Sequence, residues 1–160
     1  NFEAQGTTQD VERTKGSKLN EEFSEVLDCD MHSQWAAMMV MSGGDSVPEE
    51  GTVSFQSCTM KEGATMEQMM MADAKMNALA EKIGITGGML RWFPLGGQSS
   101  SFTGDYVQVT SNSSLAERGK NYDRAIASGL RQANASIYGE LVECQGGSTS
   151  LYVSVGGKEE

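Results

Sequence analysis

From residue 51 onward, some segments have the two-residue period of strands and others have the spacing of three and four residues that is typical of helices. The order of these segments is the feature that most constrains the fold of this chain. In residues 51–59, GTVSFQSCT, Val53 and Phe55 point to one side and the polar residues between them to the other, which is typical of a strand. The capping-box sequence TMEQ then predicts a helix with Thr65 as its N-cap. One buried stripe of that helix is predicted to contain Met69, Ala72, Met76, Leu79 and Ile83, which follow one another at steps of three and four residues.

The remaining segments continue the same plan. We predict strands at 87–95, 105–110 and 148–155, with the long loop GGQSSSFTG between the first two. The sequence SLAE begins a second helix, which is expected to align Leu115, Gly119, Tyr122, Ile126 and Leu130. A further helical stretch is expected to carry Ile137, Tyr138, Leu141 and Val142. The order strand, helix, strand, strand, helix, strand predicts an α+β fold, a ferredoxin-like βαββαβ unit with an antiparallel sheet.

An internal sequence repeat indicates that part of a second ferredoxin-like unit precedes residue 51. Residues 23–40 align with residues 138–155, and four of the 18 pairs are identical: Glu25/Glu140, Cys29/Cys144, Ser33/Ser148 and Val40/Val155. Average composition would give about one identity. Both copies predict a helix end, a cysteine and a strand, so we interpret 18–50 as a helix–strand half-repeat of an earlier unit, although any amphipathic helix followed by a strand would look partly similar.

The domain organisation that follows has four parts. Residues 1–17 are predicted to be a flexible arm, 18–50 the half-repeat, 51–156 the ferredoxin-like domain and 157–160 a tail. The extra strand at 33–42 needs a sheet edge, and the sheet face without helices needs cover. Another copy of the chain could supply both, so a homodimer or higher oligomer is expected.

The charge of the chain argues against some partners. Its formal net charge is −10, and its 12 Lys and Arg residues form no cluster, so nucleic acid is not an expected partner. No run of apolar residues is long enough to span a bilayer, and no membrane insertion is expected. The chain begins at Asn1 without an initiating Met, which favours an exported, extracellular or periplasmic protein, with a cytoplasmic one as the alternative.

Three cysteines, at positions 29, 58 and 144, lack the spacing of a zinc site, and no metal or cofactor is expected. Cys58 is expected at the end of the first strand of the ferredoxin-like unit and Cys144 at the start of the last. These strands are antiparallel neighbours in such a sheet, so a Cys58–Cys144 disulfide is geometrically reasonable, with Cys29 unpaired. Three reduced thiols are the alternative.

Four motifs resemble a known superfamily over roughly residues 51–156. They are CTMKEGATMEQ, KMNALAEKIG, RWFPLGG and DYVQV. Together they resemble the dimeric α+β barrel superfamily, which includes the antibiotic-biosynthesis-monooxygenase-like proteins, and in particular its uncharacterised marine bacterial members. The resemblance implies two ferredoxin-like sheets packed face to face and an apolar cavity between sheet and helices. Asn77 and Trp92 are the family-matched candidates for catalysis, but a Trp in the core or an interface and a solvated helix Asn are the simpler explanation.

Other candidate sites are weaker. His32, the one histidine, lies in a predicted polar turn outside the matched domain, which disfavours a His-based enzyme. The Met-rich segment 66–71 could bind copper(I), but its thioethers fall on more than one helix face and suit adaptable packing better.

Three functions are compatible with these features. The first is a non-catalytic, exported α+β-barrel protein that binds a small apolar, lipid-like molecule; its candidate lining residues are Met69, Met76, Trp92, Phe93 and Tyr106. The second is a structural or assembly protein whose half-repeat completes a neighbouring subunit. The third is a cofactor-independent monooxygenase or isomerase that uses Asn77 and Trp92.

Overall fold

The computed structural model describes residues 33–42 and 50–153 of the chain. Within these ranges the elements are β1 (Gln34–Met41), β2 (Glu50–Met60), α1 (Met66–Lys82), β3 (Gly88–Gly96), β4 (Tyr106–Asn112), α2 (Leu115–Ala127), α3 (Leu130–Tyr138), β5 (Val142–Cys144) and β6 (Ser148–Val153). The predicted arm, the predicted helix of the half-repeat, Cys29, His32 and the tail at 157–160 lie outside the described residues. No helix among those described is long and apolar enough to cross a membrane.

The six strands form one antiparallel sheet with the order β1-β3-β4-β2-β5, and β6 also pairs with β2. If β5 and β6 are counted as one interrupted strand, residues 50–153 have the strand order 4-1-3-2 of a βαββαβ unit. The predicted α+β, ferredoxin-like fold class is therefore confirmed. The strand β1 extends this sheet by one position beside β3.

The strand of the half-repeat pairs within its own chain. Ala37 lies opposite Trp92, and Met38 lies opposite Arg91, in an antiparallel ladder between β1 and β3. The hypothesis that this strand completes a neighbouring subunit was therefore wrong for 33–42. The physical reason is that β3 offers an unpaired edge in the same chain, which β1 reaches without the entropy cost of recruiting a partner.

The two copies of the internal sequence repeat supply strands at opposite edges of the sheet. β1, from the first copy, pairs with β3, whereas β5 and β6, from the second, pair with β2. Each of them protects an edge that would otherwise expose unpaired backbone groups.

The helices begin as the capping residues predict. The Thr65 side chain accepts a hydrogen bond from the backbone N–H of Gln68, and the Gln68 side chain accepts one from the Thr65 backbone in return. Of the predicted stripe of α1, Met69 and Ala72 are buried, but Leu79 is partly exposed, and Asp73 and Ala80 are buried as well. The stripe is therefore rotated from its predicted position.

The second helical region differs from the prediction in two ways. The predicted alignment from Leu115 to Leu130 is interrupted at Gly129, whose φ of 72° is in the left-handed region that favours glycine, so Leu130 begins α3 instead of ending α2. The stretch predicted to be helical up to Val142 ends at Tyr138 instead, and Val142 begins β5 because its backbone pairs with Met60. The large aligned side chains of α2, Leu115, Tyr122 and Ile126, are exposed.

The sheet has two chemically different faces, and the described helices lie on one of them. The helix-covered face contains Ser54, Gln56, Cys58, Arg91 and Tyr106. The opposite face contains Ala37, Met39, Phe55, Leu90, Trp92 and Val107, which we call the apolar sheet face. In the strands whose residues alternate between apolar and polar, the apolar residues therefore face away from the described helices.

Candidate functional site

A cavity of about 420 Å³ lies between α2 and the helix-covered face of the sheet. Its volume is within the range of small-molecule sites in proteins, roughly 300 to 1,000 Å³. The sheet contributes hydroxyl and amide side chains to its lining, from Ser54, Gln56, Thr110 and Asn112. Apolar lining comes from Met41, Ile85, Met89, Ala125 and Leu130. The cavity therefore offers several hydrogen-bonding groups beside apolar surface.

The sheet side of the cavity follows from strand register. Ser54 on β2 lies opposite Thr110 on β4, and Thr149 on β6 lies on the other side of Ser54. These three neighbours share a face, and the Ser54 and Thr149 hydroxyls are 2.8 Å apart and hydrogen-bonded. Three adjacent strands thus place a row of hydroxyl groups at the cavity wall.

An irregularity in the last strand lies beside this wall. Gln145, Gly146 and Gly147 separate β5 from β6, whereas only Gln56 and Ser57 separate the corresponding positions of β2. The additional residue is a bulge, and Gly147 there approaches the Phe55 carbonyl so closely that a Cβ would be 2.3 Å from its oxygen. Gly147, Ser148 and Thr149 line the cavity directly after this bulge.

Polar contacts, rather than apolar packing, attach α2 to the rest of the protein. Asn121 Nδ2 donates to the Thr86 carbonyl at 2.9 Å and to Asn112 Oδ1 at 2.8 Å. The Thr86 hydroxyl donates to Glu117 Oε1 at 2.7 Å, and Arg124 donates to the Gly84 carbonyl at 2.8 Å. None of the residues of α2 is buried, which leaves the cavity between this helix and the sheet.

Glu117 is the acidic group of this network. The hydrogen bond from Thr86 and that from Lys120 lower the pKa of Glu117 from its ordinary value of 4.5. A carboxyl group whose pKa is lower in the folded state stabilises the fold above its unfolded pKa, and this contribution is lost as the pH falls through the folded value.

We therefore expect the urea midpoint of the wild-type protein to decrease more than that of Glu117→Gln when the pH is lowered from about 6 to about 3. The matched control is Glu140→Gln, because Glu140 is exposed and makes none of these contacts. Equal pH dependence of the wild-type protein and Glu117→Gln would show that the carboxyl contributes nothing to the attachment of α2.

A second polar cluster lies within the core between α1, α3 and the sheet. The Arg91 guanidinium donates two hydrogen bonds to the Asp73 carboxylate, each 2.6 Å long, and the Tyr138 hydroxyl donates a third at 2.7 Å. Burial alone would lower the pKa of Arg91, but the hydrogen bonds and the charge of Asp73 outweigh it and raise that pKa. Burial, and then the hydrogen bond to Asp73, raise the pKa of Tyr138. The cluster thus holds a charged pair together in the core.

The five predicted ligand-binding residues do not surround one space. Met69 and Tyr106 are fully buried in the core, and the Phe93 ring lies 5.5 Å from that of Tyr106. Trp92 lies on the opposite side of the sheet, with its ring 5.7 Å from Phe55, because consecutive strand residues point to opposite faces. Met76 is half-buried on α1, and none of the five lines the cavity.

Asn77 and Trp92, the predicted catalytic candidates, are also separated. Asn77 Nδ2 donates to the Val40 carbonyl at 2.7 Å, at a shift in the β1–β3 register between Met39 and Met41. Its amide therefore attaches α1 to β1, on the side of the sheet opposite Trp92. The two side chains do not form one site.

The residues that line the cavity were missed because of an assumption about the alternating strands. The alternation in GTVSFQSCT and DYVQVT identifies Ser54, Gln56, Thr110 and their neighbours as one face of each strand. The superfamily resemblance, which implied an apolar cavity between sheet and helices, led us to look for lining residues on the apolar face. The signal that could have corrected this is the polar character of α2, whose Arg118 and Asn121 need polar neighbours.

Metal-binding groups are not brought together in the part of the chain that the structure describes. No group of three or more His, Cys, Asp or Glu side chains there could hold an ion. Within the Met-rich segment, Met69 is buried whereas Met70 and Met71 are exposed, so that these thioethers point in different directions.

The structure joins Cys58 and Cys144 in a disulfide across β2 and β5. The two residues are direct neighbours in the ladder between β2 and β5. Cys58 is fully buried beside Met69 and Tyr106, so the bridge links the core to the edge of the sheet.

Comparison with known proteins adds one likeness of fold. No family model matches the sequence, and no curated protein matches it. The chain is similar to a dimeric protein of unknown function with a ferredoxin-like fold from Bacteroides fragilis, at 11% identity and a TM-score of 0.33 over 66% of this chain and 97% of that chain. The fold assignment rests on the strand order of this chain, and membership of the α+β barrel superfamily stays a prediction.

Proposed function

We propose that this protein is a binding protein that holds a small polar molecule in the cavity between α2 and the sheet. The observation that carries the proposal is the convergence of hydroxyl and amide groups from β2, β4, β6 and α2 on one space of about 420 Å³. Sites for small molecules combine such a space with a few placed polar groups. The lipid-like guest expected from the sequence is less suitable, since its chain would leave these groups without partners.

The test is a fragment screen that compares two variants. The library consists of matched pairs of small carboxylates and their carboxamides, and binding is followed by backbone amide shifts in NMR spectra. Ala125 lines the cavity, so Ala125→Trp should fill it and abolish fragment binding. Ala74→Trp, at an exposed position of α1, is the control that should leave binding unchanged. A screen without hits at the cavity, or hits that persist in Ala125→Trp, would contradict the proposal.

A second candidate function, self-association, is supported by the apolar sheet face. The residues that β1, β2, β3 and β4 direct to this face include no charged side chain, although the whole chain has a formal net charge of −10. Two copies can therefore meet over these four strands without bringing like charges into contact, and apolar aromatic surface is typical of homodimer interfaces. The proposed partner is a second copy of this chain.

Charge introduced at Met39 tests this interface, since its side chain is 63% exposed and can be replaced with little effect on folding. We expect Met39→Glu to weaken the dimer at least tenfold, because the two new carboxylates would repel each other across the interface. Sedimentation velocity over a concentration series measures this. Met70→Glu is the control, at a residue that is 60% exposed on α1. A monomeric wild-type protein, or equal effects of the two variants, would contradict the interface.

We also propose that the protein is exported from the cytoplasm. The Cys58–Cys144 disulfide is compatible with an oxidising compartment, where such bonds persist. Fractionation of the native host, with the protein found outside the cytoplasm, is the corresponding test.

A further inference from the structure

The charge of the cavity narrows the kind of molecule that it would hold. The described residues that line it include Arg118 but no Asp, Glu or Lys. In a chain with 22 acidic and 12 basic residues, a lining whose one charge is positive is unusual. The charge of the described cavity lining is therefore opposite in sign to the net charge of the protein.

Arg118 has no ion-pair partner among the residues that the structure describes. Its guanidinium donates to the hydroxyl of Tyr122, one turn later on the same helix, at 3.3 Å and lies 5.2 Å from the centre of that ring. By contrast, Arg91 forms an ion pair with Asp73, and Arg124 forms one with Glu117. The five N–H donors of Arg118 are mostly available for something else.

Tyr122 positions this guanidinium. The contact with the ring face and the bond to the hydroxyl act together over one helical turn, which limits the orientations that the long side chain adopts. A guanidinium whose orientation is already restricted loses less conformational entropy on binding an anion than an unrestricted guanidinium does. Nearby amides and hydroxyls, from Asn121, Gln56 and Ser54, can bond the remainder of the guest.

We propose that the cavity binds a small organic monoanion whose carboxylate pairs with Arg118. A guanidinium matches a carboxylate with two parallel hydrogen bonds, and charge-assisted bonds are about twice as strong as neutral ones. A single cation balances a carboxylate, whereas a phosphate dianion would leave charge uncompensated, because the described lining residues include no second positive group. This inference rests on the proposed function and names its ligand class.

The test compares the two members of each fragment pair, beginning with benzoate and benzamide, and includes phenyl phosphate as a third probe. We expect the carboxylate of each pair that binds in the cavity to bind at least tenfold more tightly than its amide. Arg118→Gln should abolish this preference. Arg131→Gln should preserve it, because Arg131 is exposed on α3 and does not line the cavity.

The outcomes separate the two proposals. If carboxamides bind the cavity as tightly as carboxylates, if Arg118→Gln leaves the preference intact, or if phenyl phosphate binds most tightly, the ligand class is wrong while the binding function stands. If no member of the library binds at the cavity, the binding function fails and the ligand class with it.

Discussion

Reduction of the Cys58–Cys144 disulfide is expected to lower the free energy of unfolding by about 4.5 kcal/mol, the loop-closure value for two residues separated by 86 positions. The bond restricts the unfolded chain over most of the domain, and it joins the core to the edge strand β5, which has only three residues. A loss of this size is comparable with the whole stability of a small domain. Urea unfolding with and without a reductant measures the difference.

The control for this prediction is Cys29→Ser, which should retain the bridge and respond to the reductant as the wild-type protein does. Alkylation under denaturing conditions, followed by mass spectrometry, counts the free thiols. Three alkylated cysteines without reductant would show that the bridge is absent. An unfolding midpoint that is unchanged on reduction would show that the bridge contributes nothing to stability.

Replacement of Arg91 by Met is expected to destabilise the fold by about 3 to 5 kcal/mol, because it leaves the Asp73 carboxylate buried without its counter-charge. Arg91 is only 1% exposed, and its two hydrogen bonds to Asp73 cannot be replaced by water at that depth. Chemical denaturation of the purified variant measures the loss.

Two comparisons show whether the cost comes from the unpaired charge. The triple variant Arg91→Met, Asp73→Leu, Tyr138→Phe removes every member of the cluster, including the Arg91 Nε that has no hydrogen-bond partner among the described residues. It should recover most of the lost stability. Arg124→Met breaks the exposed pair with Glu117 and should cost about 1 kcal/mol or less. A triple variant as unstable as Arg91→Met would refute this explanation.

Local patterns in the sequence predicted most of the fold. The strands β2, β3, β4 and β6 begin within two residues of their predicted positions, since alternation and glycines mark strand ends even when tertiary contacts are unknown. The capping residues Thr65 and Ser114 located the starts of α1 and α2 for the same reason. The short strand β5 was missed because its three residues form a strand only through pairing with β2.

The site was not predictable to the same degree, because it depends on which face of the sheet the helices cover. Apolar residues usually face helices, but Trp92, which the superfamily resemblance assigned to a cavity between sheet and helices, lies on the opposite face. In this chain the buried Asp73–Arg91 pair and the disulfide occupy the helix-covered face, so the apolar rows of β2 and β4 turn away from α1. Periodicity identifies the two faces of a strand but not which one is covered.

Spacing along a helix likewise identifies an apolar face without showing whether that face is buried, as the exposed side chains on α2 illustrate. Leu115, Tyr122 and Ile126 have helical spacing, yet they are exposed because Asn121 and Arg124 form the contacts that attach the helix. A helix held by polar groups leaves room beneath it. The cavity is a consequence of that arrangement.

The most direct test of this account is a map of backbone amide shifts as benzoate and the other library members are added to the full chain. The account predicts that the largest shifts occur at Ser54, Gln56 and Thr110 on the sheet and at Arg118 and Tyr122 on α2. Shifts confined to the apolar sheet face around Phe55 and Trp92, or no shifts at all near α2, would contradict the central claim that the space under this helix is a binding site.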